Sequence, residues 1–330
     1  MEGYVKFKRN ASIISHHSVV GRNEHDGPLG EFFDDFSLND TFEKDSWEKA
    51  ESEMQRRALE GALSKKKISK ESVDLLVAGD LLNQCVGSTY GLIDFGIPYV
   101  GIYGACSTCA LGLALSACFY DGGIINTGAS VTSSHFCSSE RQFRFPLEYG
   151  GQRAPTSQWT VTGAGAYIIG NGEGIKIKSA LFGKTTDMGI SDINNMGAAM
   201  APAARNTLLD FLSNDGHSVD YFDLIVTGDL GYEGSEILKD LLMRDGVDIY
   251  DRHTDCGLLI FDRERQDKHA GGSGCGCSAS VLSAKILRDM ENGVLNNILF
   301  IGTGALMNPL TLYQGNSIPS IAHLVHLSTE

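Results

Sequence analysis

Gly104-Ala105-Cys106-Ser107-Thr108 follows an apolar extended run, Pro98-Tyr99-Val100-Gly101-Ile102-Tyr103, and leads into small and apolar residues from Cys109 to Tyr120. That last run is apolar on nearly all faces of a helix, which predicts a helix in the middle of a core. The segment reads as strand, tight turn and buried helix, with Cys106 at the turn. A thiol there faces unpaired backbone N–H groups and the positive end of the helix dipole. Such surroundings lower a cysteine pKa and favour a nucleophilic thiolate. The alternative is an inert buried cysteine, the usual state of a free thiol in a core.

A second copy weighs against coincidence. Gly274-Cys275-Gly276-Cys277-Ser278-Ala279 precedes an expected helix, Val281 to Glu291, and a strand, Asn297 to Ile301. The first copy runs on to Thr127-Gly128-Ala129 and the second to Thr303-Gly304-Ala305. Upstream, Asp74-Leu-Leu-Val-Ala-Gly-Asp80-Leu81 matches Asp223-Leu-Ile-Val-Thr-Gly-Asp229-Leu230, and each follows a helical stretch, Trp47 to Lys67 and Met196 to Ser213. Two matched signatures in the same order, roughly 150 residues apart, indicate one doubled unit rather than a solenoid. The expected halves are 1–171, carrying Cys106, and 172–330, carrying the Gly274–Ala279 loop.

The composition suits a globular α/β chain: 42% hydrophobic, 21% charged, 39 Gly and 7 Pro in 330 residues. A net charge of −14 argues against sequence-independent nucleic-acid binding and against simple docking on anionic lipid. An anionic ligand would need a local pocket of helix N-termini and arginine. The first residues carry no apolar signal-peptide core, and no apolar run approaches the ~18 residues of a membrane span. Eight cysteines are too sparse for a disulfide scaffold and suggest reduced thiols in an intracellular chain.

Other segments carry weaker signals. The acidic stretch Glu31, Asp34, Asp35, Asp40, Glu43, Asp45 lacks EF-hand spacing and reads as a solvated surface. Ser46 is a plausible N-cap. Ser133 to Pro146 reads as a loop containing His135, Arg141 and Arg144, where an arginine either meets an anionic ligand or pins the loop through a carboxylate. Between Asp251 and Gly257, before an expected strand Leu258 to Phe261, His253 and Asp255 form a possible acid–base pair or an ordinary hydrogen-bonded loop. Cys106-Ser-Thr-Cys109 has redox spacing, and Cys106, Cys109, Cys275 and Cys277 form a conceivable zinc set, but the apolar context weakens both readings. No metal and no cofactor is expected.

Taken together, Tyr103-Gly-Ala-Cys-Ser-Thr108, Thr132-Ser-Ser-His135, Glu140-Arg-Gln-Phe-Arg144, Thr160-Val-Thr-Gly163, Met200-Ala-Pro-Ala-Ala204, Asp255-Cys-Gly257 and Gly271-Gly-Ser-Gly-Cys-Gly-Cys-Ser-Ala279 resemble the thiolase superfamily of thiolases and β-ketoacyl synthases. Within it they are most similar to a stage V sporulation protein family of spore-forming bacteria. The resemblance implies a duplicated αβαβα fold, five layers with two stacked sheets around two buried helices. It implies binding of dipicolinic acid, or its calcium chelate, and uptake into the developing spore. It also implies partner proteins of the same sporulation group, a peripheral place at the spore inner membrane, and a homodimer.

In the superfamily's condensing enzymes the position of Cys106 is the acyl-accepting nucleophile, and the second-half loop supplies a His or Asn that polarises the thioester carbonyl. Here Cys275 stands about where that residue belongs, and a thiol is a weak donor. His253 is the remaining candidate for that role. The expected ligand pocket is floored by Cys106, Cys275, Gly276 and Cys277, with His135, Arg141, Arg144, His253 and Asp255 as further candidates for its walls. The rival reading is an acyl-thioester transferase with Cys106 as nucleophile.

Overall fold

The computed structural model describes residues 3–9, 11–143 and 151–330. Its strands are β1 Tyr4–Lys6, β2 Ser12–Val20, β3 Asp35–Phe36, β4 Leu75–Gly79, β5 Tyr99–Gly101, β6 Thr127–Ser134, β7 Trp159–Thr160, β8 Gly163–Gly170, β9 Ile175–Phe182, β10 Leu224–Thr227, β11 His253–Asp255, β12 Gly272–Ser273, β13 Asn297–Ala305 and β14 Ser320–Ser328. Its helices are α1 Arg22–His25, α2 Trp47–Lys65, α3 Val86–Leu92, α4 Thr108–Asp121, α5 Phe136–Phe143, α6 Met196–Asp215, α7 Gly231–Arg244, α8 Cys256–Leu259, α9 Cys275–Val281, α10 Leu287–Glu291 and α11 Pro309–Tyr313. A π-helical turn, Leu282–Ile286, joins α9 to α10.

The duplication is visible in the strand order. One half runs β5-β4-β6-β8-β2 and the other β11-β10-β13-β14-β9. In both, the first three strands are parallel and the last two antiparallel. Asp74 Oδ2 accepts the N–H groups of Asn126 and Thr127 at 2.7 and 3.0 Å, and Asp223 Oδ2 accepts those of Asn296 and Asn297 at 2.7 and 2.9 Å. The copied motif therefore does the same work twice, tying β4 to the start of β6 and β10 to the start of β13.

The layers are those the resemblance implies. Helix α2 covers one half-sheet and α6 the other, while α4 and α9 lie between, in one apolar cluster with Val226, Phe300 and Val325. The two half-sheets are not separate, however. Strands β2 and β9 pair antiparallel at Ser12↔Lys176 and Ile13↔Ile175, which makes one 12-stranded sheet. Short strands also cross between the halves, β1 onto β9 and β7 onto β12.

Several local expectations are corrected. The helix expected from Val281 begins at Cys275: Gly276 sits where a Cβ would lie 2.3 Å from Gly163 O, so close packing favours helix where glycine alone would suggest a loop. The loop expected from Ser133 to Pro146 is the end of β6 followed by α5; the hydroxyls of Ser133 and Ser138 bond to Glu51, and that of Ser134 to Val161 O, so these serines are buried rather than solvated. In place of a strand at Leu258 to Phe261, residues 253–255 are the strand and Cys256–Leu259 a helical turn, since a short apolar run does not distinguish the two. In the acidic stretch, Asp34 is largely buried, held by Lys65 at 2.7 Å and Arg288 at 2.6 Å. Ser46 caps α2 as expected, accepting Lys49 N–H at 3.3 Å.

Candidate functional site

The turn before α4 is closed by its own hydroxyls. Ser107 Oγ donates to Gly104 O at 2.6 Å, and Thr108 Oγ1 donates to Ala105 O at 2.6 Å. Ala105 takes a left-handed φ of +49°, and a Cβ on Gly304 would stand 2.4 Å from Gly104 O. Strand β13 thus approaches so near that only glycine fits, and the turn is locked with the Cys106 side chain 6% exposed.

Asp229 and Cys275 meet that thiol. Cys106 hydrogen-bonds to Asp229, a fully buried carboxylate that also accepts Gly274 N–H at 2.7 Å, Thr303 Oγ1 at 2.8 Å and Ser273 Oγ at 3.3 Å. Burial raises the Asp229 pKa, against the lowering by these donors. Cys275 packs against Cys106 and Leu81, and its thiol donates to Ser133 O at 3.0 Å. Burial pushes the Cys275 thiol well above its ordinary pKa.

Above them lies a cavity of about 30 Å³. Leu81, Tyr103, Phe143, Met196, Ala305 and Met307 form its apolar wall; Cys106, Ser139, Glu140, Thr160 and Ser273 supply its polar atoms. Glu140 accepts Thr160 Oγ1 at 2.7 Å and pairs with Arg153 at 3.5 Å. Ser139 Oγ is buried and has no hydrogen-bond partner among the described residues. None of the described lining residues is a cation.

Among the described residues, Cys106 alone of the expected set lines this cavity, with Cys275 packed against it. Gly276 lies against Ser134 in the packed interior, donating its N–H at 3.1 Å, and Cys277 belongs to the core between the layers. His135 accepts Cys137 N–H at Nδ1, so Nε2 carries the proton and donates to Asp40 O at 2.7 Å. Arg141 pairs with Glu48 and stacks over Trp47 at 5.3 Å, which is the loop-pinning alternative. Arg144 lies outside the described residues. His253 and Asp255 do not touch each other directly: Thr227 Oγ1 bridges them, at 2.9 Å from His253 Nε2 and 2.7 Å from Asp255 Oδ2. Asp255 also accepts Leu230 and Gly231 N–H, and burial raises its pKa to about 7 while lowering that of His253 to about 4. This bridge sits on the outermost strand of its half-sheet, β11.

Asp229 and Glu140 stand in quoted motifs but not among the expected site residues. Asp229 closes the very motif that reveals the duplication, and its counterpart Asp80 is likewise buried, accepting Ser88 N–H and Oγ at 2.7 and 2.6 Å. A carboxylate kept at the end of a strand in both copies was the available signal. Among the described residues no His, Cys, Asp and Glu side chains gather as a metal-binding group, and no helix is long and apolar enough to cross a membrane.

The profile of a family described as stage V sporulation protein AD matches residues 2–328. A Bacillus subtilis (strain 168) protein of that name is 43% identical over 318 residues, covering 96% of this chain and 94% of its own. Among solved structures, Xanthomonas campestris OleA with bound lauric acid and lauroyl-CoA superposes with a TM-score of 0.61 at 14% identity, covering 97% of this chain and 99% of that one. The 3-oxoacyl-[acyl-carrier-protein] synthase III of Aquifex aeolicus VF5 gives 0.58 at 12% identity, covering 96% and 99%. At these identities the structures share the fold, which is thiolase-like.

Proposed function

Because this chain belongs to the stage V sporulation protein AD family, we propose that it is a sporulation protein that binds dipicolinic acid, as its calcium chelate, at the Cys106 cavity and supports uptake into the developing spore. One observation carries the preference for binding over catalysis: the thiol of Cys106 is directed at the buried carboxylate of Asp229. A thiolate formed there would place a second negative charge beside Asp229 in a low-dielectric interior, which is costly. The second-half loop meets Cys106 with Cys275, a weak donor already bonded to Ser133 O. Losing one oxyanion donor typically lowers a rate about 10²–10³-fold.

Two carboxyls, Glu140 in the cavity wall beside Arg153 and Asp229 bonded to Cys106, favour the chelate, a ligand that brings its own cation, over the free dianion. A cavity of about 30 Å³ holds little more than water, so the ring enters by displacing Phe143, Met196 and Met307, of which the methionines are the most adaptable. The chain acts at the spore inner membrane with other proteins of the same sporulation group, and a second copy pairs along the free edge of β5.

Calorimetric titration with dipicolinate, with and without calcium, on the wild-type protein and on Cys106→Ala tests this reading. Saturable binding that needs calcium and weakens in Cys106→Ala is expected. Calcium-independent binding that ignores the mutation would refute the assignment to this cavity. The rival acyl transferase, favoured by the Cys106 turn and by the fold shared with OleA, requires an acyl adduct on Cys106 after incubation with an acyl-CoA. Intact-mass spectrometry is expected to show none.

A further inference from the structure

A second concave site lies away from Cys106. Between residues 6–9, strand β9 and the turn that follows α6 is a groove of about 200 Å³. Four of its lining residues are cations: Lys6, Arg9, Lys176 and Lys178. In a chain of net charge −14 this is a local reversal of sign. Arg9 is engaged, donating Nη1–H to Tyr120 O at 2.6 Å, and Lys178 donates to Glu330 O at 3.2 Å. Lys6 and Lys176 make no side-chain hydrogen bond or ion pair among the described residues. Among the described lining residues the single carboxylate, Asp215, is already committed: it accepts Tyr4 O–H at 2.7 Å, His217 Nδ1–H at 2.6 Å and Ser179 Oγ at 3.4 Å.

Aromatic rings line the same groove. His217 stacks on Tyr221 with centroids 3.9 Å apart and planes 19° from parallel, and His326 stands edge-on to Tyr221 at 6.2 Å. Phe7 also lines the groove. Burial holds the His326 pKa near 4, so that ring adds an uncharged surface at neutral pH. Lysines and flat rings lining one groove of this size are complementary to a small ring that carries acid groups.

We propose that this groove binds a small planar organic dianion, its acid groups on Lys6, Lys176 and Lys178 and its ring on the Tyr221–His217 stack. The site is independent of the Cys106 cavity, and it takes a free anion rather than a chelate. Concavity favours a small molecule over a membrane, since a flat bilayer would meet the exposed lysines without filling the aromatic pocket.

The probe is isophthalate, a planar dicarboxylate without the ring nitrogen that completes a calcium chelate, titrated in chelator-treated buffer. Saturable binding that weakens with added salt is expected for the wild type. The double variant Lys176→Gln/Lys178→Gln should bind about tenfold more weakly, as expected for two partly exposed ion pairs. Cys106→Ala should bind like wild type, which separates this result from the fate of the Cys106 reading. Should the first pair disturb folding, by circular dichroism and melting, Lys6→Gln/Lys178→Gln changes only exposed positions and should also weaken binding. No isophthalate binding by wild type, or undiminished binding by a folded double variant, overturns the proposal. So does lysine-dependent binding to phosphatidylglycerol vesicles without isophthalate binding, which would make the groove a lipid-headgroup surface.

Discussion

Several carboxyls, Glu24, Glu51, Asp80, Glu140, Asp229 and Asp255 among them, lie buried in this fold. Glu51 is enclosed with the Ser133 and Ser138 hydroxyls at 2.9 and 2.8 Å, and burial, then the nearby Asp80 charge, raises its pKa from 4.5 to about 8. The folded chain therefore keeps a proton on Glu51 that the unfolded chain releases near pH 4.5. Stability attributable to this group falls as pH rises from about 4.5 to 8 and is level above that. Glu51→Gln, which cannot ionise, should flatten the dependence of the melting temperature on pH across that window; an unchanged slope would refute the assignment. These carboxyls were hard to read in the sequence because Glu51 and Asp229 look like ordinary helix-face and strand-end acids. Only the packing of a second half against the first deprives them of water. Cys106 was legible for the opposite reason, because its neighbours are so uniformly small and apolar that few environments suit them.

Among the elements, the twin turns into β6 and β13 offer a test of the duplication. Asp74→Ala and Asp223→Ala each remove an acceptor from two backbone N–H groups, so each should cost about 1 kcal/mol. The two turns share no partners, and the double variant should show the sum in denaturant unfolding. A marked excess over the sum would mean that the halves are coupled through these turns. Most elements were readable from period and punctuation: α2 with its Ser46 cap, the all-apolar α4, and the paired strands β4 and β10. The failures share a cause. Serine in α5 and glycine in α9 were read by their preferences in water, but here the hydroxyls find buried partners and Gly276 is required by contact with Gly163. In such places tertiary contact overrides local propensity.

For the whole molecule, strand β5 is the exposed outer strand of its half-sheet, with Tyr99 39% and Val100 36% accessible. An unguarded edge of this kind invites pairing. If two copies meet there, Val100→Lys places like charges across the symmetry axis and should shift the mass seen by light scattering from dimer to monomer. A monomeric wild type would instead rule out the edge as a self-association surface. The order in which the chain is made adds a further constraint. Strand β1 pairs with residues 179–181, and β7 pairs with residues 272–273. Helix α4 packs against β13 and β14, elements that begin only at residue 297. A chain emerging amino end first from the ribosome must therefore hold its most apolar helix with one flank bare until more than half of the remaining sequence has been translated. Such delayed, long-range closure slows folding and exposes apolar surface to aggregation, so the interleaving that unifies the finished molecule also leaves its core uncovered while the chain is being made.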